Sequence, residues 1–137
     1  MRRPSWDNYY LDIATTVALR ADCSRRQHGA VIVSHDNRPV SFGYNGAPSG
    51  APGCLAGACP RGLLTYAELQ SLAGGYDDPE SPGFCISVHA EANAIILAGR
   101  NACVGSTIYV TGPPCHGCKK LIAAAGIERV VYKGSTK

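Results

Sequence analysis

The chain is short of charge, of long apolar runs and of sequence regularity. Each shortage removes a class of function. Charged side chains make up 17% of the 137 residues, and 13 basic against 10 acidic side chains leave a net charge of +3. That field is too mild to hold a nucleic-acid polymer or a membrane surface. The basic residues are scattered apart from Arg2–Arg3, Arg25–Arg26 and Lys119–Lys120, and such pairs are ordinarily solvated. The longest apolar stretches, such as AIILAG and LIAAAG, fall far below the ~20 residues of a spanning helix. The opening MRRPSWDNYY is basic with no apolar region behind it, so no secretory leader is expected. There is no internal repeat, low-complexity tract or linker. One domain over residues 1–137, located in the cytoplasm, is the expectation.

What the chain does have is cysteine, seven of them. In a reducing compartment these are metal ligands or buried thiols before they are disulfides.

Patterning supplies a coarse frame. Trp6, Tyr10, Ile13, Ala14 and Val17 recur at helical spacing behind Ser5, predicting a helix over 5–20. HGAVIVS (28–34) and VSFGYNG (40–46) read as a hairpin joined by HDNRP. AEANAIILAGR (90–100) and CHGCKKLIAAAG (115–126) read as helices, the second closed by Gly126. STIYVTG (106–112) and ERVVYK (128–133) read as strands. This order predicts an α/β sandwich on a mixed sheet. Residues 47–86 are the exception, with Pro48, Pro52, Pro60, Pro79 and Pro82, many glycines and one short helical candidate, TYAELQSLAG. A stretch of that kind in a compact domain is functional or tied down.

The chemistry sits at two helix starts. His89 and Glu91 in SVHAEANAII are two apart, so they do not share a helix face. They make sense if something lies at the end of the helix. Cys115 and Cys118 in GPPCHGCKK open the other helix, where the dipole favours thiolates. Alone, C-x-x-C also fits a redox pair or two buried thiols. Together, one histidine and two thiolates give three ligands and leave a tetrahedral zinc a fourth position for water. That is the layout of a catalytic site, with Glu91 as the acid and base beside it. The pattern H-x-E with P-C-x-x-C is the signature of zinc nucleobase deaminases.

With those motifs, the chain resembles the deoxycytidylate (dCMP) deaminases of the cytidine deaminase superfamily. RPSWDNYYLDIATTVALRADCSRRQHGAVIV (3–33) is similar to the family's opening helix and strand, and GYNGAPSG (43–50) to the loop after its second strand. HAEANAI and PCHGC are similar to its zinc motifs, and LIAAAGIERVVY to the helix and strand that follow. The middle loop matches poorly. The resemblance implies a three-layer sandwich, a mixed sheet with helices on both faces, shortened at the C-terminus. It implies hydrolysis of dCMP to dUMP and ammonia, with catalytic Glu91 and zinc on His89, Cys115 and Cys118.

The same resemblance implies substrate roles for Asn45, Ala90, Arg26, Gln27, Tyr109 and Pro114. Against these stand a plain Asn-Gly turn at 45–46 and a core position for Tyr109. It implies a homo-oligomer, hexamer or dimer, with dCTP and dTTP effectors around Gly46, Ser49 and Arg100. Arg100 also fits a helix C-terminal cation. A second, structural zinc on Cys23, Cys54, Cys59 and Cys85 would staple the long loop; reduced buried thiols are the alternative. His28 departs from the apolar residue expected before the first strand; it either faces the substrate or is a surface histidine, and the surface reading is preferred. Rival readings are a nucleoside, CMP or 5-substituted dCMP deaminase, a tRNA or DNA editing deaminase, and a non-catalytic zinc module. Glu91 argues against the last.

Overall fold

The computed structural model describes residues 2–72 and 74–135. Helix α1 (Trp6–Ala18) starts at Ser5, whose hydroxyl accepts from the Asn8 N–H. Strands β1 (Gly29–Val33) and β2 (Pro39–Tyr44) form an antiparallel hairpin. After a long excursion come α3 (Ala90–Ala98), α4 (Arg100–Cys103), β3 (Thr107–Val110), α5 (His116–Ala124) and β4 (Arg129–Tyr132). The excursion contains one five-residue helix, α2 (Tyr66–Gln70).

The sheet runs β2-β1-β3-β4. β1 is antiparallel to β2 and β3, and β3 is parallel to β4. The expected mixed sheet with helices on both faces is present. Side-chain alternation along the strands divides the core in two. Ala30, Ile32, Ile108 and Val110 pack with Ala90, Ala94 and Ile122 from α3 and α5. Val31, Val33, Tyr109 and Val131 pack with Tyr10, Leu11, Ala14 and Val17 of α1. All of β1 is buried, because it is an inner strand covered on both faces.

One detail differs from the sequence reading. The helix expected over 90–100 breaks at Gly99, whose φ of 77° is not helical, and restarts as α4. Arg100 therefore opens α4 and does not cap the end of α3. In the chain α3 is preceded by the excursion, not by a strand. Its start is placed by a two-bond bridge between Gly46 and Val88, with N···O distances of 3.1 and 2.7 Å.

Contact between α3 and β2 is unusually close. A Cβ on Gly43 would lie 2.5 Å from the Ala94 nitrogen and 2.6 Å from the Ala90 oxygen. Only glycine lets the strand touch the helix backbone there. Ser41 Oγ donates to the Ala94 carbonyl at 2.8 Å, and Asn93 Nδ2 to the Tyr44 carbonyl at 2.8 Å. These bonds fix the rotation of α3 and hence the direction of its first turn.

Candidate active site

The first turns of α3 and α5 meet. His89 is the N-cap of α3 and makes no side-chain cap bond, which leaves its ring free to turn outward. Cys115 is the N-cap of α5, with Sγ 3.4 Å from the Cys118 nitrogen. His89 Nδ1 lies 3.3 Å from Cys118 Sγ and 3.4 Å from Cys115 Sγ. Among the described residues this is the one His/Cys/Asp/Glu trio whose donor atoms all lie within 4.8 Å of one another.

The electrostatics of the trio call for a cation. Burial pushes the Cys118 thiol well above its ordinary value, and Glu91 and Cys115 beside it push the same way. A thiolate in that place needs a positive charge between the donors. One imidazole nitrogen and two sulfurs match the preference of zinc. Glu91, in the first turn of α3, is only 6% exposed and lines a cavity of about 680 Å³ with His89, Ala90 and Cys115.

The same cavity gathers Asn45, Arg26 and His28. Asn45 is not a plain turn residue, since neither it nor Gly46 is among the positive-φ residues. Its Oδ1 accepts from the His28 N–H at 2.8 Å, and its Nδ2 donates to the Arg26 carbonyl at 3.0 Å. It clamps the segment that leads into β1. Gln27 is exposed and outside the cavity wall, as alternation from Arg26 and His28 requires. Pro114 is buried next to Cys115 without lining the cavity.

Tyr109 is a correction. It is on the α1 face of the sheet, its ring 5.2 Å from that of Tyr10, and its hydroxyl donates to Asp7 Oδ1 at 2.9 Å. Burial and that carboxylate push its pKa up to about 12. Its neighbour Val110 faces the cavity instead. His28 is a correction in the other direction, a half-buried residue of the cavity wall and not a surface histidine.

Cys23, Cys54, Cys59 and Cys85 all line the cavity. Among the described residues no three of them come within 4.8 Å of one another. Of the three remaining candidates, Gly46 is held in the bridge to Val88, while Ser49 and Arg100 are exposed; none lines the cavity. Sequence reasoning missed Arg25, Arg61, Tyr66, Tyr76 and Thr111. The first four are in the cavity wall, and Thr111 bonds to His28. The doubled arginine at 25–26 was the only signal for any of them.

The description "cytidine and deoxycytidylate deaminase zinc-binding region" matches residues 4–134. The chain belongs to this family. It is 50% identical over 133 residues to a deoxycytidylate deaminase of Mycobacterium phage D29, covering 96% of this chain and 97% of that one. It is 39% identical to a deoxycytidylate deaminase of Schizosaccharomyces pombe, covering 97% of this chain but 38% of the yeast protein. Its fold is similar to that of a dCMP deaminase from the cyanophage S-TIM5, solved in complex with dCMP and dUMP. That similarity has a TM-score of 0.67 and 25% identity, over 96% of this chain and 83% of the other. The family's zinc-binding character agrees with the donor set of His89, Cys115 and Cys118. Among the described residues no helix is long and apolar enough to cross a membrane.

Proposed function

We propose that this chain hydrolyses the exocyclic amine of a cytosine nucleotide, dCMP, to give dUMP and ammonia. The observation that carries the reading is the charge of the cavity. Arg25, Arg26 and Arg61 stand in its wall, and among the described residues Glu91 is the only carboxylate there. A lone acid at the trio suits proton transfer. Three guanidiniums suit an anionic substrate, because arginine binds phosphate in a bidentate manner.

His89, Cys115 and Cys118 would hold zinc, which when bound lowers the pKa of water towards about 7. Glu91 accepts a proton as the water oxygen bonds to the amine-bearing carbon, and delivers it to the ring nitrogen. It then takes the proton of the new hydroxyl and passes it to the amine. The carbon–nitrogen bond breaks and ammonia leaves. Ala90 flanks this chemistry through backbone, Pro114 acts from outside the cavity wall by positioning Cys115, and Asn45 and Arg26 hold the sugar and phosphate end. Gln27 contributes through its backbone at most, given its outward side chain.

Ammonia release from zinc-replete protein tests the reading, with dCMP, CMP, deoxycytidine, 5-methyl-dCMP and a cytosine-containing DNA offered in parallel. Turnover of dCMP without deoxycytidine is the expected result. Glu91→Ala should keep its zinc and retain no more than a few per cent of the rate; a variant that stays active refutes Glu91 as the proton carrier. Metal analysis of the same preparation decides the structural zinc. Two per chain would support Cys23, Cys54, Cys59 and Cys85 as a staple, and one per chain would exclude it. A homo-oligomer, hexamer or dimer, is supported by exposed Phe42, Ile96 and Leu97 and is tested by sedimentation. Effector control through Gly46, Ser49 and Arg100 rests on family membership, and titration with dCTP and dTTP tests it. The protein is taken to work in the cytoplasm.

A further inference from the structure

His28 has a bonding pattern that its place in the chain does not require. Its backbone N–H is fixed by Asn45 Oδ1 at 2.8 Å. Its ring nitrogen Nδ1 lies 3.3 Å from Thr111 Oγ1, and that oxygen also accepts from the Gly29 N–H at 3.2 Å. Among the described residues the Thr111 hydroxyl proton has no other acceptor. Donation of that proton to Nδ1 satisfies both groups and places a ring proton on Nε2, the tautomer we assign. Nε2 has no hydrogen-bond partner among the described residues, and no buried side-chain nitrogen or oxygen lacks one. The ring lines the cavity that holds Glu91 and Asn45. The result is an oriented donor, held from behind by Thr111, on the wall where the substrate would lie.

We infer that His28 is a specificity-determining residue that donates Nε2–H to an acceptor oxygen of the bound nucleotide. This rests on the deamination reading and names a contact within it. The phosphate is served by the arginines, which carry the charge for it. That leaves the ring N–H of His28 for an uncharged oxygen, either the base carbonyl or a sugar hydroxyl. Valine at this position suits the entry to β1 by its strand preference and loses the donor. Glutamine would keep an N–H at a similar reach.

The experiment compares His28→Val and His28→Gln with the wild type in steady-state kinetics and zinc content. Its substrates are dCMP and 2′,3′-dideoxycytidine monophosphate. For His28→Val on dCMP, KM should rise about five- to tenfold with kcat within threefold and zinc retained, the size of one neutral hydrogen bond. His28→Gln should recover most of that loss. If the acceptor is the sugar hydroxyl, the penalty disappears on the dideoxy substrate; if it is the base carbonyl, the penalty persists. A His28→Val enzyme with KM within twofold of wild type overturns the inference. So does one that loses kcat or zinc at unchanged KM, which would make His28 a support for the Cys115 loop. A wild type that releases ammonia from neither nucleotide overturns the deamination reading itself, and this contact with it.

Discussion

The sandwich and the excursion between residues 47 and 87 are built on opposite principles. In the sandwich, β1 is buried along its whole length and helices cover both faces. In the excursion, the only buried residues among those described are Gly53, Cys59 and Gly83. Leu55, Leu63 and Tyr66 are each more than 60% exposed. What holds the excursion is polar. Asp22 Oδ1 accepts from the Leu55 N–H at 2.8 Å. Arg25 donates to the Arg61 carbonyl at 2.6 Å and lies 5.0 Å from the Tyr66 ring centre. Arg61 in turn donates to the Gly83 carbonyl at 3.0 Å. Gly53 lies so near the Asp22 carboxylate that a Cβ there would overlap it. The lesson is a division of labour. The sandwich places the metal trio and Glu91, and the excursion walls the cavity without a core of its own. Such segments open at much lower free energy than the global fold.

Breaking the sandwich should have the largest effect. Ile108 is fully buried between the sheet and α3/α5, so Ile108→Ala should destabilise by about 2–5 kcal/mol. Denaturant unfolding would show a lowered midpoint, with activity lost along the same curve. A loss below about 1 kcal/mol would mean that this core yields as readily as the excursion does.

Breaking the excursion should be quieter globally and louder locally. Asp22→Ala removes the acceptor that anchors Leu55, a loss of about 1 kcal/mol. Limited proteolysis should speed up between residues 54 and 86, and KM should rise, while the thermal midpoint moves little and zinc stays. If the midpoint falls as far as for Ile108→Ala, the two regions unfold as one unit and the comparison fails.

The smallest effect belongs to a pair that ties the two ends of the sandwich. Arg129 binds the Asp7 carboxylate, with Nη1···Oδ1 at 2.9 Å. The Arg129 guanidinium holds the Asp7 carboxyl below its ordinary value of 3.8, against some opposing burial. A lowered folded-state pKa stabilises fully above the unfolded value and is lost as pH falls through the folded one. The window is thus below about pH 4. The side chains are 53% and 24% exposed, so solvent screening keeps the contribution under about 1 kcal/mol. Asp7→Asn should flatten the acid limb of the stability curve slightly and leave neutral-pH activity alone. An unchanged acid limb would remove the pair from the account.

The parts legible in advance were those with a strong local signal. The hairpin, α5 and its Gly126 cap follow from periodicity and turn chemistry. The metal trio and Glu91 follow from motif spacing. Tyr109 was misread because every residue of Ile108-Tyr109-Val110 is apolar enough for either face; pairing with β1 decides the parity, and pairing is not local. The break at Gly99 was hidden because Arg100–Cys103 resumes a helix at once. His28 was taken for a surface residue because its placement depends on bonds to Asn45 and Thr111, which are distant in sequence. Apart from TYAELQSLAG the excursion carries no period, so Arg61, Tyr66 and Tyr76 could be assigned to the cavity only after folding.

The Asn45 clamp also bears on how the protein ages. An Asn-Gly pair loses its amide when the following backbone nitrogen closes a five-membered imide ring on the side chain. Here the Gly46 nitrogen is engaged with the Val88 carbonyl at 3.1 Å, and both ends of the Asn45 amide are bonded. Ring closure must break all of these, so the native corner is chemically shielded. Once it has opened and reacted, the carboxylate left at position 45 has no proton to give Arg26. Deamidation then becomes a one-way exit from the native state, its rate metered by how often this corner opens.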